Sequence, residues 1–189
     1  MVEACQYCGR KGLVAPTVYQ GVCNALNRTA DLELVPVLRA AYGLRYYAHG
    51  SLASGFLTGK YRRGTAPVRG VDRFAQSRRA EQYGRRYLNR PEMFAALEAI
   101  EGAAAAAGMS TLEAAVRWTL HHSCMREGDA MLVGVSRQLA PIMEAAAGGP
   151  LPAGVVAAFD VASGHVAMKS EFYLQFSYPK EGSPWRSRL

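Results

Sequence analysis

Apolar and polar positions in this chain fall into short hydrophobic runs alternating with helical stripes. Val2 to Arg10 reads as a helix that Gly12 stops, and Val14 to Gln20 reads as a strand rich in valine and threonine. Asp31 to Ala41 follows as a helix with Leu34 and Leu38 on its buried face; Pro36 fits only in a first turn. Gly43 ends it, and Leu44 to Ala48 has the composition of a buried strand. Pro91 to Ala107 is an alanine-rich helix broken by Gly108. Ser110-x-x-Glu113 is a capping box opening a helix through His122, with Leu112, Ala115, Val116, Thr119 and Leu120 on one stripe. Met131 to Gly134 reads as a third strand, and Gln138 to Ala147 and Pro152 to Ala167 as closing helices. This alternation is that of a parallel α/β protein.

The chemistry concentrates after the second strand. Gly50, Gly55 and Gly59 let a backbone approach a ligand closely, Ser51, Ser54 and Thr58 supply hydroxyls, and Lys60 supplies a point charge suited to phosphate. A strand running into such a loop is an anion-binding arrangement, and the same residues also make ordinary turns. The 189 residues, half of them hydrophobic, hold material for the core of a single domain. No segment approaches the ~20 apolar residues that cross a bilayer, and the N-terminus lacks the pattern of a signal peptide, so a reducing, cytoplasmic setting is expected.

Cys5 and Cys8 form a C-x-x-C pair without a second pair at zinc-like spacing, and Cys23 and Cys124 are isolated; buried small residues are the expectation, with no metal. The net charge of +7 is concentrated between Lys60 and Arg90, which hold ten basic residues against Asp72 and Glu81. That segment is too long for a simple connector and has the character of a solvated lid, or of an arginine patch for a phosphorylated ligand or nucleic acid. Tyr83 and Tyr87 interleave with the arginines, but no RNA-binding motif frames them, so a nucleic-acid partner is not expected.

Several blocks together resemble a known family. GLRYYAHGSLASGFLTGKY at Gly43 to Tyr61 is similar to the seventh strand and following loop of the aldo-keto reductase superfamily, in its aflatoxin-aldehyde reductase branch. PTVYQG at Pro16 to Gly21 with Asn24, Glu33-Leu34 with Pro36 and Arg39, Arg73-Phe74, AVRWTLHHS at Ala115 to Ser123, GDAMLVGVS at Gly128 to Ser136, and GPL at Gly149 to Leu151 agree in order and spacing. The resemblance implies the last three β/α units of a (β/α)₈ barrel plus C-terminal helices, since the closed barrel needs eight strands and about 250 residues. It implies residues 1–170 as the C-terminal part of an NADP-dependent reductase domain and 171–189 as a tail.

The resemblance also assigns residues. Gln20 corresponds to the glutamine that hydrogen-bonds the nicotinamide carboxamide, and Gly50, Leu52, Ser54, Gly59 and Lys60 to the loop around the pyrophosphate of NADP or NADPH. Ser136, with Arg137 and Gln138, matches the segment that grips the adenosine 2′-phosphate. His49 takes the place of a tyrosine that stacks on the nicotinamide, Ile142 that of an asparagine at adenine, and the segment after Ser136 is about two residues short, departures that imply weaker cofactor affinity. The family's catalytic aspartate, tyrosine, lysine and histidine lie in the first half of the barrel, ahead of Met1, so no catalytic residue is assigned here. His121 and His122 match a helix away from the cofactor and are expected to be structural, as is His165.

The implied activity is NADPH-dependent reduction of an aldehyde or ketone, with a carbonyl substrate only if the missing half completes the site. A non-catalytic dinucleotide-binding or regulatory module is the alternative. Unpaired edges on the first and third strands favour a homo-oligomer. Ser187-Arg188-Leu189 resembles a peroxisomal address, which sets the peroxisome beside the cytoplasm as a destination.

Overall fold

Three parallel strands organise the computed structural model, which describes residues 1–64, 84–134 and 139–166. They are β1 (Val18–Val22), β2 (Arg45–His49) and β3 (Ala130–Leu132), in the order β1-β2-β3. Chain order and sheet order coincide, as in successive β/α units wound in one direction. Helix α1 (Val2–Lys11) precedes β1, and α2 (Val35–Tyr42) joins β1 to β2. Then α3 (Pro91–Ala106) and α4 (Thr111–His121) join β2 to β3, and α5 (Leu139–Ala146) and α6 (Ala153–Val166) follow. Most of the arginine segment, the expected phosphate grip at Ser136, Arg137 and Gln138, and the tail with Ser187 to Leu189 lie outside the described residues.

Several boundaries differ from the sequence pattern, with β1 running on to Val22 and β3 spanning Ala130–Leu132 rather than Met131 to Gly134, and two differ for clear local reasons. β1 begins at Val18 rather than Val14: Val14 is 95% exposed, and Pro16 has no amide to give a ladder. The single helix expected over Asp31 to Ala41 is a π-helical turn, Ala30–Leu34, running into α2. Pro36 then sits in the first turn of α2, where it needs no donor, and the wider turn ahead of it accommodates its ring. Gly12 and Gly43 close α1 and α2 in the left-handed conformation, as their spacing indicated. Ser110 Oγ accepts a hydrogen bond from the Glu113 amide at 3.1 Å, completing the N-cap of α4.

The register decides which side chains face the core. Tyr19 pairs with Tyr46 and Gly21 with Ala48, and this face packs on helices: Tyr46 and Ala48 are buried in one cluster with Met93, Leu97 and Ile100 of α3, Trp118 of α4 and Phe159 of α6. Helix α3 lies along α6, and α4 along α5. Gly21 suits that packing, because a Cβ there would sit 2.7 Å from the Tyr19 ring and force the ring to move. On the opposite face, Gln20 pairs with Tyr47 and Val22 with His49, and no side chain is fully buried. Cys5 of α1 joins a small cluster with Leu38 and Leu44, as expected of a buried thiol, while Cys8 is half-buried.

Two buried carboxylates bolt the strands to the crossovers. Asp129 Oδ1 accepts from the Tyr46 amide at 2.7 Å, while its Oδ2 accepts from the Arg126 amide at 2.9 Å and pairs with Arg39 of α2. Asp31 Oδ1 takes the Cys124 amide at 2.6 Å, joining the turn after β1 to the end of α4. Arg28 also spans elements: its guanidinium lies 4.5 Å from the Trp118 ring centroid and 2.6 Å from Asp160. Asp129→Ala strands the Arg39 guanidinium in a buried site and is expected to cost about 3–5 kcal/mol of unfolding free energy, read by urea denaturation.

Candidate functional site

The strands end level with one another. Val22 pairs with His49 and His49 with Leu132, so the loops leave from one row, and the Cys23 amide extends the pairing by donating to the His49 carbonyl at 3.0 Å. Ligands of parallel α/β sheets bind at such carboxyl ends. The loop after β2 takes up left-handed backbone at its glycines. Gly50, Gly55 and Gly59 have φ of 75°, 100° and 77°, and between them a kinked 3-10 segment runs over Ala53–Thr58.

Ala53 and Ser54 hold φ of 49° and 61°, a left-handed conformation that costs an L-residue about 1–2 kcal/mol. Such strain persists where the surroundings over-determine it, and here they do. Phe56 is buried against Tyr61, Tyr87 and Phe94, with ring centroids 6.2, 5.6 and 5.5 Å away. Leu57 is buried beside it, and Leu52 packs on both larger core clusters. From the front, Asn24 Nδ2 donates to the Gly50 carbonyl at 3.1 Å.

One polar group in this loop is left over. The Ser51 hydroxyl is buried without a partner, although burying such a group unpaired costs about 1–3 kcal/mol. Gly55 in the same loop leaves room, since a Cβ there would meet nothing within 4 Å. Lys60 is exposed at the far end, its Nζ 4.9 Å from the Tyr61 ring centroid. A left-handed, glycine-flanked loop carrying an unspent hydroxyl and ending on an ammonium is chemically suited to an anionic ligand.

The structure brings together some of the residues singled out from the sequence. Gln20 is exposed and His49 half-buried on the open sheet face, one row apart, while Gly50, Leu52, Ser54, Gly59 and Lys60 all belong to the loop. Burial pushes the His49 imidazole below the usual histidine range, so it is neutral at pH 7. Ile142 packs into the core with Leu112, Val116 and Ala145. His121 and His122 serve structure, as expected: His121 Nε2 is 2.8 Å from the Gly148 carbonyl, and His122 Nε2 accepts the Leu151 amide at 2.8 Å. Among the described residues no cluster of histidine, cysteine and carboxylate side chains is arranged to hold a metal. The sequence sets Asn24 in a family block without giving it a role, although an Asn-x-x-Asn pattern directly after a strand is a local signal of a turn.

Residues 1–163 match the model of the Aldo/keto reductase family. The chain belongs to this family. An aldo-keto reductase of Pseudocercospora fijiensis is 39% identical over 166 residues, 86% of this chain and 55% of that protein. Human aflatoxin B1 aldehyde reductase member 2 is 39% identical over 186 residues, 93% of this chain and 51% of that protein. The chain thus spans about half the length of these relatives. A glycerol dehydrogenase of Gluconobacter oxydans superposes with a TM-score of 0.61 at 22% identity, over 80% of this chain and 43% of that one, a likeness of fold. The unclosed three-stranded sheet is part of the aldo-keto reductase barrel, and no described helix is long and apolar enough to cross a membrane.

Two outcomes follow for this family member. Gly59→Ala forces a side chain into the left-handed region with Glu101 Oε1 and Thr111 Oγ1 each 3.3 Å from the new Cβ, and is expected to cost about 1–2 kcal/mol in thermal unfolding. His122 has a lowered pKa, chiefly from burial and then from His121, so an unfolded chain takes up its proton first as the pH falls. Its stabilising contribution is therefore complete above about pH 6.5 and is lost as the pH drops from there through the folded value. His122→Asn should flatten that part of the stability–pH curve, measured by denaturant unfolding between pH 8 and 5.

Proposed function

We propose that this chain holds an NADP dinucleotide for the reduction of an aldehyde or ketone in an aldo-keto reductase. The loop from Gly50 to Lys60 carries the reading: it lies at the carboxyl ends of parallel strands and keeps a buried, unpartnered Ser51 hydroxyl beside left-handed backbone. The residues present fit such a ligand. Gly50, Leu52, Ser54 and Gly59 shape the wall for the pyrophosphate, with Lys60 as counter-charge and the Ser51 hydroxyl ready to donate. Gln20 is assigned to the nicotinamide carboxamide by family resemblance, and neutral His49 offers a ring face without opposing a cationic nicotinamide. Ser136, Arg137 and Gln138 are assigned to the 2′-phosphate by family resemblance.

When bound, NADPH supplies the hydride, and this chain's part is to orient it and keep its phosphates in place. The proton for the carbonyl oxygen comes, on this reading, from a tyrosine beside a lysine in the first five β/α units. The two tyrosines that pair across β1 and β2 do not replace it. Tyr19 and Tyr46 have pKa values pushed up by burial, the wrong direction for a proton donor, and the Tyr46 hydroxyl is spent on the Val22 carbonyl at 3.1 Å. Lys60 lies by the ring of Tyr61, 4.9 Å from its centroid, where the contact steadies the cation. These observations favour dinucleotide binding without turnover by this chain alone, the behaviour of a binding or regulatory module. Carbonyl substrate and partner follow only when the rest of the barrel is supplied.

Fluorescence titration of the purified chain with NADPH, with NADH as control and an aromatic aldehyde as substrate, tests the proposal. NADPH binding without aldehyde reduction is expected. A folded chain that binds no NADPH overturns the cofactor reading, and turnover overturns the division of labour. Lys60→Met is expected to weaken NADPH binding about 10- to 100-fold through loss of a charge-assisted contact, and Gln20→Ala by about tenfold or less.

A further inference from the structure

Asn24 is fully buried and spends its side chain in two directions. Its Oδ1 accepts from the amides of Leu26 and Asn27, at 3.1 and 2.9 Å, closing the turn after β1. Its Nδ2 reaches to the next strand and donates to the Gly50 carbonyl. That carbonyl also accepts the Ala53 amide at 2.8 Å, the bond that begins the strained part of the loop. One carbonyl oxygen thus receives two donors, one from within the loop and one from β1. Asn24 is rigid in its own right, because its backbone is bonded to Asn27 in both directions and the Cys23 amide ahead of it is tied to His49.

We infer that Asn24 is a positioning residue for the loop over 50–59, setting its affinity for a phosphate-bearing ligand from the neighbouring strand without touching that ligand. The left-handed residues Ala53 and Ser54 are held only if the turn at Gly50 is held, and Gly50 alone prefers no one conformation. By fixing the Gly50 carbonyl, Asn24 fixes where the Ser51 hydroxyl and the following amides stand before the ligand arrives, which lowers the ordering cost of binding. The inference rests on the dinucleotide reading for its ligand, while the bracing itself is independent of it.

The test separates bracing from turn closure. Asn24→Asp keeps both acceptor bonds to Leu26 and Asn27 but removes the donor to Gly50; Asn24→Ser, neutral and shorter, keeps a turn-closing oxygen that cannot reach Gly50. In either folded variant, NADPH and inorganic pyrophosphate are expected to bind about tenfold or more weakly. Hydrogen exchange of the Ala53 amide should accelerate while the Leu26 and Asn27 amides remain protected. Unchanged affinity with unchanged Ala53 exchange overturns the inference, as does equal acceleration at all three amides, which marks Asn24 as a turn former. If the wild-type chain binds neither probe, the dinucleotide reading fails, and exchange at Ala53 still decides whether Asn24 holds the loop.

Discussion

The arrangement of the sheet depends on the Asp129 carboxylate. β3 has only three residues and pairs with Tyr47 to His49, which leaves the Tyr46 amide without a strand partner on that side. Asp129 supplies the missing acceptor, and with the same group it binds Arg39 of α2 and the Arg126 amide of the turn into β3. A side chain thereby does the work of a ladder. The pair is almost wholly withdrawn from water, so its electrostatic attraction is little screened and a lone partner would be costly. Once this point fixes β2 against β3, the register that places His49 beside Leu132 follows, and the β1–β2 ladder adds Val22 to the row.

From that row the loop after β2 inherits its shape. Phe56 pins its back to the aromatic cluster of Tyr61, Tyr87 and Phe94, and Asn24 holds its front. Between the two anchors the backbone enters conformations that a free chain would avoid, and the Ser51 hydroxyl is left unpaired. Strain and an unspent polar group next to one another are features that folding alone does not reward. Their position at the carboxyl ends of parallel strands gives them a ligand-binding rationale.

Local chemistry made much of this legible in the sequence. Gly12, Gly43 and Gly108 stop helices because only a glycine takes the left-handed closing position cheaply, and Ser110 with Glu113 marks a helix start through a bond three residues long. The glycine and hydroxyl pattern after Ala48 located the loop, and its blocks located the family. What stayed hidden is non-local. Asp129 meets Tyr46 across 83 positions and Asp31 meets Cys124 across 93, separations at which no periodicity or spacing rule operates. The order of the loop was hidden for the same reason, since glycine and serine suggest flexibility while Phe56 finds its partners only in three dimensions. The π-helical turn ahead of α2 had a legible cause in Pro36 but not a legible form.

The open face of the sheet connects these local features to the chemistry of the family. Parallel strands are ordinarily covered on both sides, yet here the face bearing Gln20, Tyr47 and His49 has no fully buried side chain. The polar groups on it are not evenly spread: His49 stands at the strand end from which the loop departs, Gln20 stands at mid-strand opposite Tyr47, and Arg45 stands at the other end of β2, beside the Tyr47 ring. Within the barrel of this family that face lines the interior, so covering it withdraws His49 further from water. Desolvation already lowers the pKa of this imidazole, and more of it moves the pKa in the same direction. The His49 carbonyl is meanwhile tied to Cys23, next to Asn24, so the ring that faces the interior and the brace that shapes the loop are set by one short piece of backbone.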